Sequence, residues 1–146
     1  MEDGMALDDR DRELLALLAE DARMPLTGLA RRLGVARSTV QQRLARLESD
    51  GVIAGYSVRL GPAARTGVRA HVSLVVAARQ AEAIVNTLSA WDDVRAVYTV
   101  SGQHDLVAVV RASTPDDLDA LIDRIAAIDG VERTMSAVIL ATKLER

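Results

Sequence analysis

Cysteine and phenylalanine are absent from the 146 residues of this sequence, and aromatic side chains make up only 2% of it. The absence of cysteine excludes disulfide bonds, a thiolate zinc site and a cysteine nucleophile, and it fits a protein of the reducing cytoplasm. The shortage of aromatic rings argues against a stacking platform for single-stranded nucleic acid.

Long hydrophobic runs are also missing. The longest apolar stretch, residues 70–78, is interrupted by His71 and Ser73 and is far shorter than the roughly 20 residues of a membrane-spanning helix. Residues 1–12 are acidic and polar, whereas a secretory signal has a basic start followed by an apolar segment. We therefore expect a soluble, cytoplasmic protein without a membrane partner.

The charge of the chain is unevenly distributed. The net charge is −3, but residues 22–65 contain eight arginines and two acidic residues, a local net charge of +6. Local charge is what DNA phosphates experience, because the Debye length is only about 8 Å at physiological salt. This basic region indicates either a DNA-binding surface or a solvated arginine-rich face, and charge alone does not separate the two.

Three amphipathic helices are predicted in the first half of the chain. Asp8 and Asp11 have the spacing of a capping box in front of a leucine-rich first helix. Pro25, a favoured first-turn residue, opens a short second helix, and Gly34 ends it in the left-handed conformation. A third helix follows almost at once and ends at Gly51, before an extended run that resembles a wing. Two helices joined by a short turn that contains glycine form a helix-turn-helix.

The third helix carries the candidate DNA-reading side chains. Val40, Leu44 and Leu47 point inward, which leaves a polar face without acids on the outside. Glutamine can bond an adenine edge, hydroxyls can bond bases or phosphates, and arginines supply charge. An ordinary amphipathic helix with a solvated face remains the alternative. The predicted DNA-binding residues are Arg37, Ser38, Thr39, Gln41, Gln42, Arg43 and Arg46.

The second half follows a linker rich in small residues around Gly61 and Gly67, and its pattern has the order βαββαβ. We expect strands at 68–77, 94–101, 105–111 and 131–140, with helices at 79–90 and after the cap at Thr114. The fold class is therefore α+β, a winged helix-turn-helix joined to a ferredoxin-like domain. The expected domains are 1–56 for DNA binding, 57–66 as a linker strand or hinge, and 67–146 for ligand binding and oligomerisation.

Both faces of the predicted sheet are partly apolar. In the first strand Val72 and Leu74 face one way, yet Val75 and Ala77 make the opposite face apolar as well. Two helices cover only one face, so the other is expected to pack on a second subunit, because monomers seldom expose large apolar patches. The alternative is that small residues are tolerated on an open face.

Several motifs, in order along nearly the whole chain, resemble the leucine-responsive regulatory protein/asparagine regulator (Lrp/AsnC, or feast/famine) family. The family often has Ser-Pro at the start of its recognition helix, where this chain has Ala36-Arg37. It commonly has an aromatic residue where this chain has His104. The runs that carry the resemblance are Leu7–Asp11, Leu29–Val35, Ser38–Val40, Gly51–Tyr56, Val100–Leu106 and Gly130–Thr134.

The resemblance implies a small effector of the amino-acid class, bound near the loop Gly102–Asp105. Taken by itself, this loop is better explained as a plain hairpin turn, and the resemblance reverses that preference. Gly102 allows a ligand to approach the backbone closely, the Asp105 carboxylate suits an α-ammonium group, and His104 can bond a carboxylate. By the same resemblance Thr134 and Ser136 line the pocket, and ligand changes the assembly of dimers into larger oligomers such as an octamer.

The sequence leaves two other classes of protein to consider, an enzyme and an architectural DNA-binding protein. An enzyme is disfavoured because His71 and His104 are the only histidines and no Gly-rich phosphate loop is present, so no catalytic residue, metal or cofactor is predicted. An architectural protein that compacts DNA without an effector stays open. The prediction is a transcription regulator that binds specific double-stranded DNA as a homodimer or higher oligomer and responds to an effector.

Overall fold

The computed structural model describes residues 7–144 and divides the chain into two compact units, with the boundary between Arg59 and Leu60. The first unit contains α1 (Asp9–Glu20), α2 (Leu26–Leu33) and α3 (Arg37–Ser49). The predicted capping box is present, because the Asp8 side chain accepts from the Asp11 N–H at 2.7 Å and the Asp11 side chain accepts from the Asp8 N–H at 3.2 Å.

The core of the first unit is built from the apolar stripes of its three helices. Burial of these aliphatic side chains holds the helices together, since each fully buried leucine or valine contributes about 1.5–3 kcal/mol. Gly34 ends α2 with φ 65°, as predicted, whereas Pro25 lies one position before the helix as its N-cap. The aliphatic residues of this unit exposed by 1% or less are Leu14, Leu29, Leu33, Val40 and Leu47.

The segment that follows α3 differs from the prediction. Within the described chain, residues 52–67 contain no strand, and their only regular element is a 3₁₀ turn at Pro62–Ala64. Of the two alternatives predicted for residues 57–66, a linker strand or a hinge, the described chain forms no strand. The alternating apolar residues of this segment fit a strand, but a strand needs a hydrogen-bonded neighbour, and no described strand pairs with this segment.

The second unit has the predicted order βαββαβ. Its elements are β1 (Val68–Val76), α4 (Ala81–Ser89), β2 (Val94–Thr99), β3 (Leu106–Ala112), α5 (Pro115–Ala126) and β4 (Val131–Val138). The strands form one antiparallel sheet in the order β2-β3-β1-β4, so the ferredoxin-like prediction is confirmed. The cap of α5 is also as predicted, since the Thr114 hydroxyl accepts from the Asp117 N–H at 3.1 Å.

Helices α4 and α5 cover one face of this sheet. Alternate residues of β1, including Val72 and Leu74, are fully buried against Leu88 and Ile125 of the two helices. The opposite face, called here the open sheet face, is uncovered within the described unit, and Tyr98 remains 56% exposed. By strand register, the open sheet face carries Arg69, Arg111 and Arg133 toward its ends, and its other members are His71, Ser73, Val75, Ala96, Tyr98, Val107, Val109, Met135 and Ala137.

Across residues 7–144, no helix is both long enough and apolar enough to cross a membrane.

Candidate DNA-binding surface and effector loop

Helix α3 presents a polar face because its apolar residues are used in the core. Val40 and Leu47 are completely buried, which fixes the rotation of the helix about its axis. Its N-cap, Ala36, has an extended backbone and makes no side-chain capping bond. Among the predicted DNA-binding residues, Thr39 and Arg43 are partly buried, and those exposed are Arg37, Ser38, Gln41, Gln42 and Arg46.

Two of the predicted DNA-binding arginines are also bonded to the first helix. Arg43 donates through Nη1 to Asp8 Oδ2 at 2.6 Å and to Asp11 Oδ1 at 2.8 Å. Arg46 donates through Nη2 to Asp11 Oδ2 at 2.5 Å. The side chain of Arg43 is only 24% exposed, so it contributes less charge to the outer surface than the sequence pattern suggests.

Asp11 is the centre of this network, and it is the functional-site residue that sequence reasoning missed. It was predicted only as a capping residue, but its carboxylate is 1% exposed and accepts from Arg43, Arg46 and the Asp8 N–H. Its arginine partners lie 32 and 35 residues away in sequence, so no local pattern identifies them.

The network determines the ionisation of its members. Burial acts to raise the pKa of Asp11, but the hydrogen bonds from Arg46 and Arg43 outweigh it and lower the pKa to about 2. The hydrogen bond from Arg43 also lowers the pKa of Asp8, and in return Asp8 and Asp11 raise the pKa of Arg43. All of these groups are therefore charged at neutral pH.

The candidate effector loop lies between β2 and β3. Gly102 has φ 114°, a conformation that side chains disfavour, and the Val100 N–H donates to the Asp105 carbonyl at 3.0 Å to close the loop. The Asp105 N–H donates to the Leu74 carbonyl at 2.9 Å, and its side-chain Oδ2 accepts from the Val76 N–H at 2.9 Å. One carboxylate oxygen of Asp105 is thus bound to the end of β1.

Thr134 and Ser136 lie on a different strand from the loop. Thr134 is paired with Leu74 and Ser136 with Val72, whereas Leu106, next to the loop, pairs with Leu74 from the other side. Two strand spacings of about 4.8 Å therefore separate the backbones of Leu106 and Thr134. No hydrogen bond within residues 7–144 joins these two residues of β4 to the loop.

Comparison with known proteins agrees with this architecture. Residues 7–54 match the family model of winged helix-turn-helix DNA-binding domains, and residues 69–146 match the Lrp/AsnC ligand binding domain. The HTH-type transcriptional regulator LrpA1 of Halobacterium salinarum is 40% identical over 129 residues, which are 87% of this chain and 91% of that protein.

Solved structures show the same fold over nearly the whole chain. The leucine response regulatory protein of Mycobacterium tuberculosis superposes with a TM-score of 0.82 at 38% identity, covering 95% of this chain and 96% of that one. A feast or famine regulatory protein of M. tuberculosis complexed with L-methionine gives 0.81 at 37% identity, covering 96% of each chain. The named relatives are transcriptional regulators, which confirms the expectation that the protein is not an enzyme. The resemblance noted in the sequence is thereby confirmed: the chain belongs to the Lrp/AsnC family and is a DNA-binding transcription regulator.

Proposed function

We propose that this regulator recognises specific double-stranded DNA through α3 and that an amino acid bound near Gly102–Asp105 changes its assembly and DNA affinity. The observation that carries the proposal is the outward polar face of α3, on a helix whose inner face is anchored by Val40 and Leu47. In this proposal, residues 1–56 bind DNA and residues 67–146 bind the effector and assemble the oligomer. Residues 57–66 connect the two domains.

The exposed side chains of α3 suit two kinds of DNA contact. Gln41 and Gln42 have amides that can read base edges, and Ser38 can bond a base or a phosphate. Arg37 lies at the start of the helix, is exposed, and has no hydrogen-bond or ion-pair partner within residues 7–144, so its charge is available for a phosphate. Thr39, Arg43 and Arg46 complete the predicted set, with the two arginines also bonded to Asp11.

The amino-acid effector is supported by the L-methionine complex of the related feast or famine protein. In this chain, one oxygen of Asp105 is bound to Val76, and the other has no partner within the described residues. That oxygen suits an α-ammonium group, while His104, at the same loop, suits the carboxylate end of the ligand. Thr134 and Ser136 remain predicted members of the pocket.

The open sheet face supports assembly into at least a homodimer. Met135 is 57% exposed, and Val107 and Val109 lie in the middle of this face with Tyr98 beside them. Covering these side chains with a second copy removes apolar surface from water, which is the main driving force of most protein association. Higher oligomers, such as an octamer, then require a further contact. We place this activity in the cytoplasm, where a regulator meets chromosomal DNA.

Binding measurements with substituted protein test the DNA-reading role. Gln42→Ala is expected to cost about 1–3 kcal/mol and to relax preference at one base position. Arg37→Ala is expected to weaken binding to all sequences and to reduce the salt dependence by about one counterion. Arg79→Ala removes an exposed arginine from the second unit and serves as the control. Wild-type binding by both α3 variants would contradict the assignment.

Thermal unfolding with single amino acids tests the effector. A ligand at 100 times its dissociation constant stabilises the protein by about 2.7 kcal/mol. An amino acid that raises Tm and also changes DNA affinity supports the proposal. No shift with any of the common amino acids would favour an architectural protein that binds DNA without an effector.

A further inference from the structure

The carboxylate of Asp11 joins the first helix to the candidate reading helix. It is buried between α1 and α3, and its two oxygens are divided between Arg43, bonded to Oδ1, and Arg46, bonded to Oδ2. The capping box alone needs only the bond between Oδ2 and the Asp8 N–H. The two arginine bonds are therefore not needed to cap α1, and they join α1 to α3.

The two arginines are held in different ways. Arg43 is 24% exposed and lies between the carboxylates of Asp8 and Asp11, so it acts as an anchor. The Arg46 side chain is 44% exposed and is bonded inward only through Nη2. Its Nη1 and Nε have no hydrogen-bond partner within residues 7–144. Because guanidinium is planar and rigid, fixing one nitrogen fixes the plane of the other donors.

We propose that Asp11 is a positioning residue for DNA recognition. It holds the guanidinium of Arg46 so that the remaining N–H groups point outward to a phosphate, one helical turn after Gln42. A phosphate contact of fixed geometry sets the register of the reading helix against the base edges. This inference rests on the proposed role of α3 as the DNA reader.

Positioning by Asp11 and simple electrostatics predict different effects of Asp11→Asn on DNA binding, so the inference can be tested. Asp11→Asn removes one negative charge close to the DNA-binding face, and charge alone predicts tighter binding to every DNA. Positioning predicts that Arg46 becomes mobile and that the preference for the correct sequence falls. The ratio of specific to non-specific affinity distinguishes a uniform gain in affinity from a loss of sequence preference. If Asp11 only stabilises the fold, this ratio stays the same in every variant that is folded.

The experiment uses the full chain and two duplexes. One duplex is enriched by wild-type protein from a random-sequence pool, and the other has the same length and composition in scrambled order. Asp11→Asn is compared with Asp9→Asn, which makes the same charge change on the same helix at a fully exposed side chain whose one ion-pair partner within residues 7–144 is Arg12. Circular dichroism confirms that each variant is folded.

We expect Asp11→Asn to lower the affinity ratio about tenfold or more and Asp9→Asn to leave it unchanged. In an Arg46→Ala background, Asp11→Asn should produce no further loss. A folded Asp11→Asn protein with the ratio of Asp9→Asn overturns the inference. If wild-type protein itself does not distinguish the duplexes, the proposed reading function fails instead.

Arg46→Lys covers the case in which Asp11→Asn does not fold. Lysine also binds phosphate, but as a point charge without a planar fork. A lower affinity ratio in this variant supports positioning through the guanidinium. A wild-type ratio overturns it.

Discussion

Two replacements of Asp105 distinguish its hydrogen bond with the Val76 N–H from its proposed contact with the effector. Asp105→Ala removes the acceptor of the Val76 N–H, and Val76 is only 7% exposed at a point where the β1–β4 register shifts. A buried N–H left without a partner costs about 1–3 kcal/mol. Asp105→Asn keeps an oxygen in place for this bond and removes only the negative charge.

The expected loss of stability therefore differs between the two variants. For a unit of this size, 1 kcal/mol changes Tm by roughly 4–8 °C, so Asp105→Ala should lower the Tm of the second unit by about 4 °C or more. Asp105→Asn should stay within a few degrees of wild type, since its side chain still accepts the Val76 N–H. Differential scanning calorimetry gives both values.

Effector binding should fail in both variants, because both lack the charge that pairs with an α-ammonium group. Calorimetric titration with an amino acid identified in the thermal screen measures this loss, and Gln103→Ala, in the same exposed loop, is the control. DNA binding without effector should persist. Full effector affinity in Asp105→Asn would refute the ammonium contact, and an unchanged Tm in Asp105→Ala would refute the structural bond.

Three further predictions follow from the packing and ionisation described above. Gly67→Ala should destabilise the second unit by at least about 2 kcal/mol, because Gly67 has φ 84° and a Cβ would lie 2.3 Å from the Ala112 carbonyl oxygen; urea unfolding at wild-type stability would contradict this. The pKa of Asp11 is lowered from 3.8 to about 2, so its ionised form stabilises the folded protein above pH 3.8, and this stability is lost as pH falls toward 2. The loss of stability in acid should be smaller in Asp11→Asn. Identical profiles of stability against pH for wild type and variant would argue against the arginine network. Met135→Asp on the open sheet face should give a folded monomer in sedimentation, and a persistent dimer would show that the interface lies elsewhere.

Most of the secondary structure could be predicted because its signals are local. The Asp8 cap, the left-handed Gly34 and the Thr114 cap each act within a few residues of their own helix, and all three are present as predicted. A strand within residues 57–66 depends on a signal of a different kind. Residues 57–66 have a suitable pattern, but strand formation depends on a partner that a local pattern does not supply.

The sequence by itself determined the two-unit α+β architecture, the family and the inward face of α3, since periodicity and motif spacing are properties of neighbouring residues. Only the tertiary structure decided which charged side chains are bonded within the protein. The sequence pattern predicts Arg43 and Arg46 as DNA-binding side chains and Asp105 as a ligand-binding carboxylate. In the folded chain both arginines are bonded to Asp11, and Asp105 is bonded to the end of β1. Such pairs lie about thirty residues apart, and their geometry depends on how the helices and strands pack.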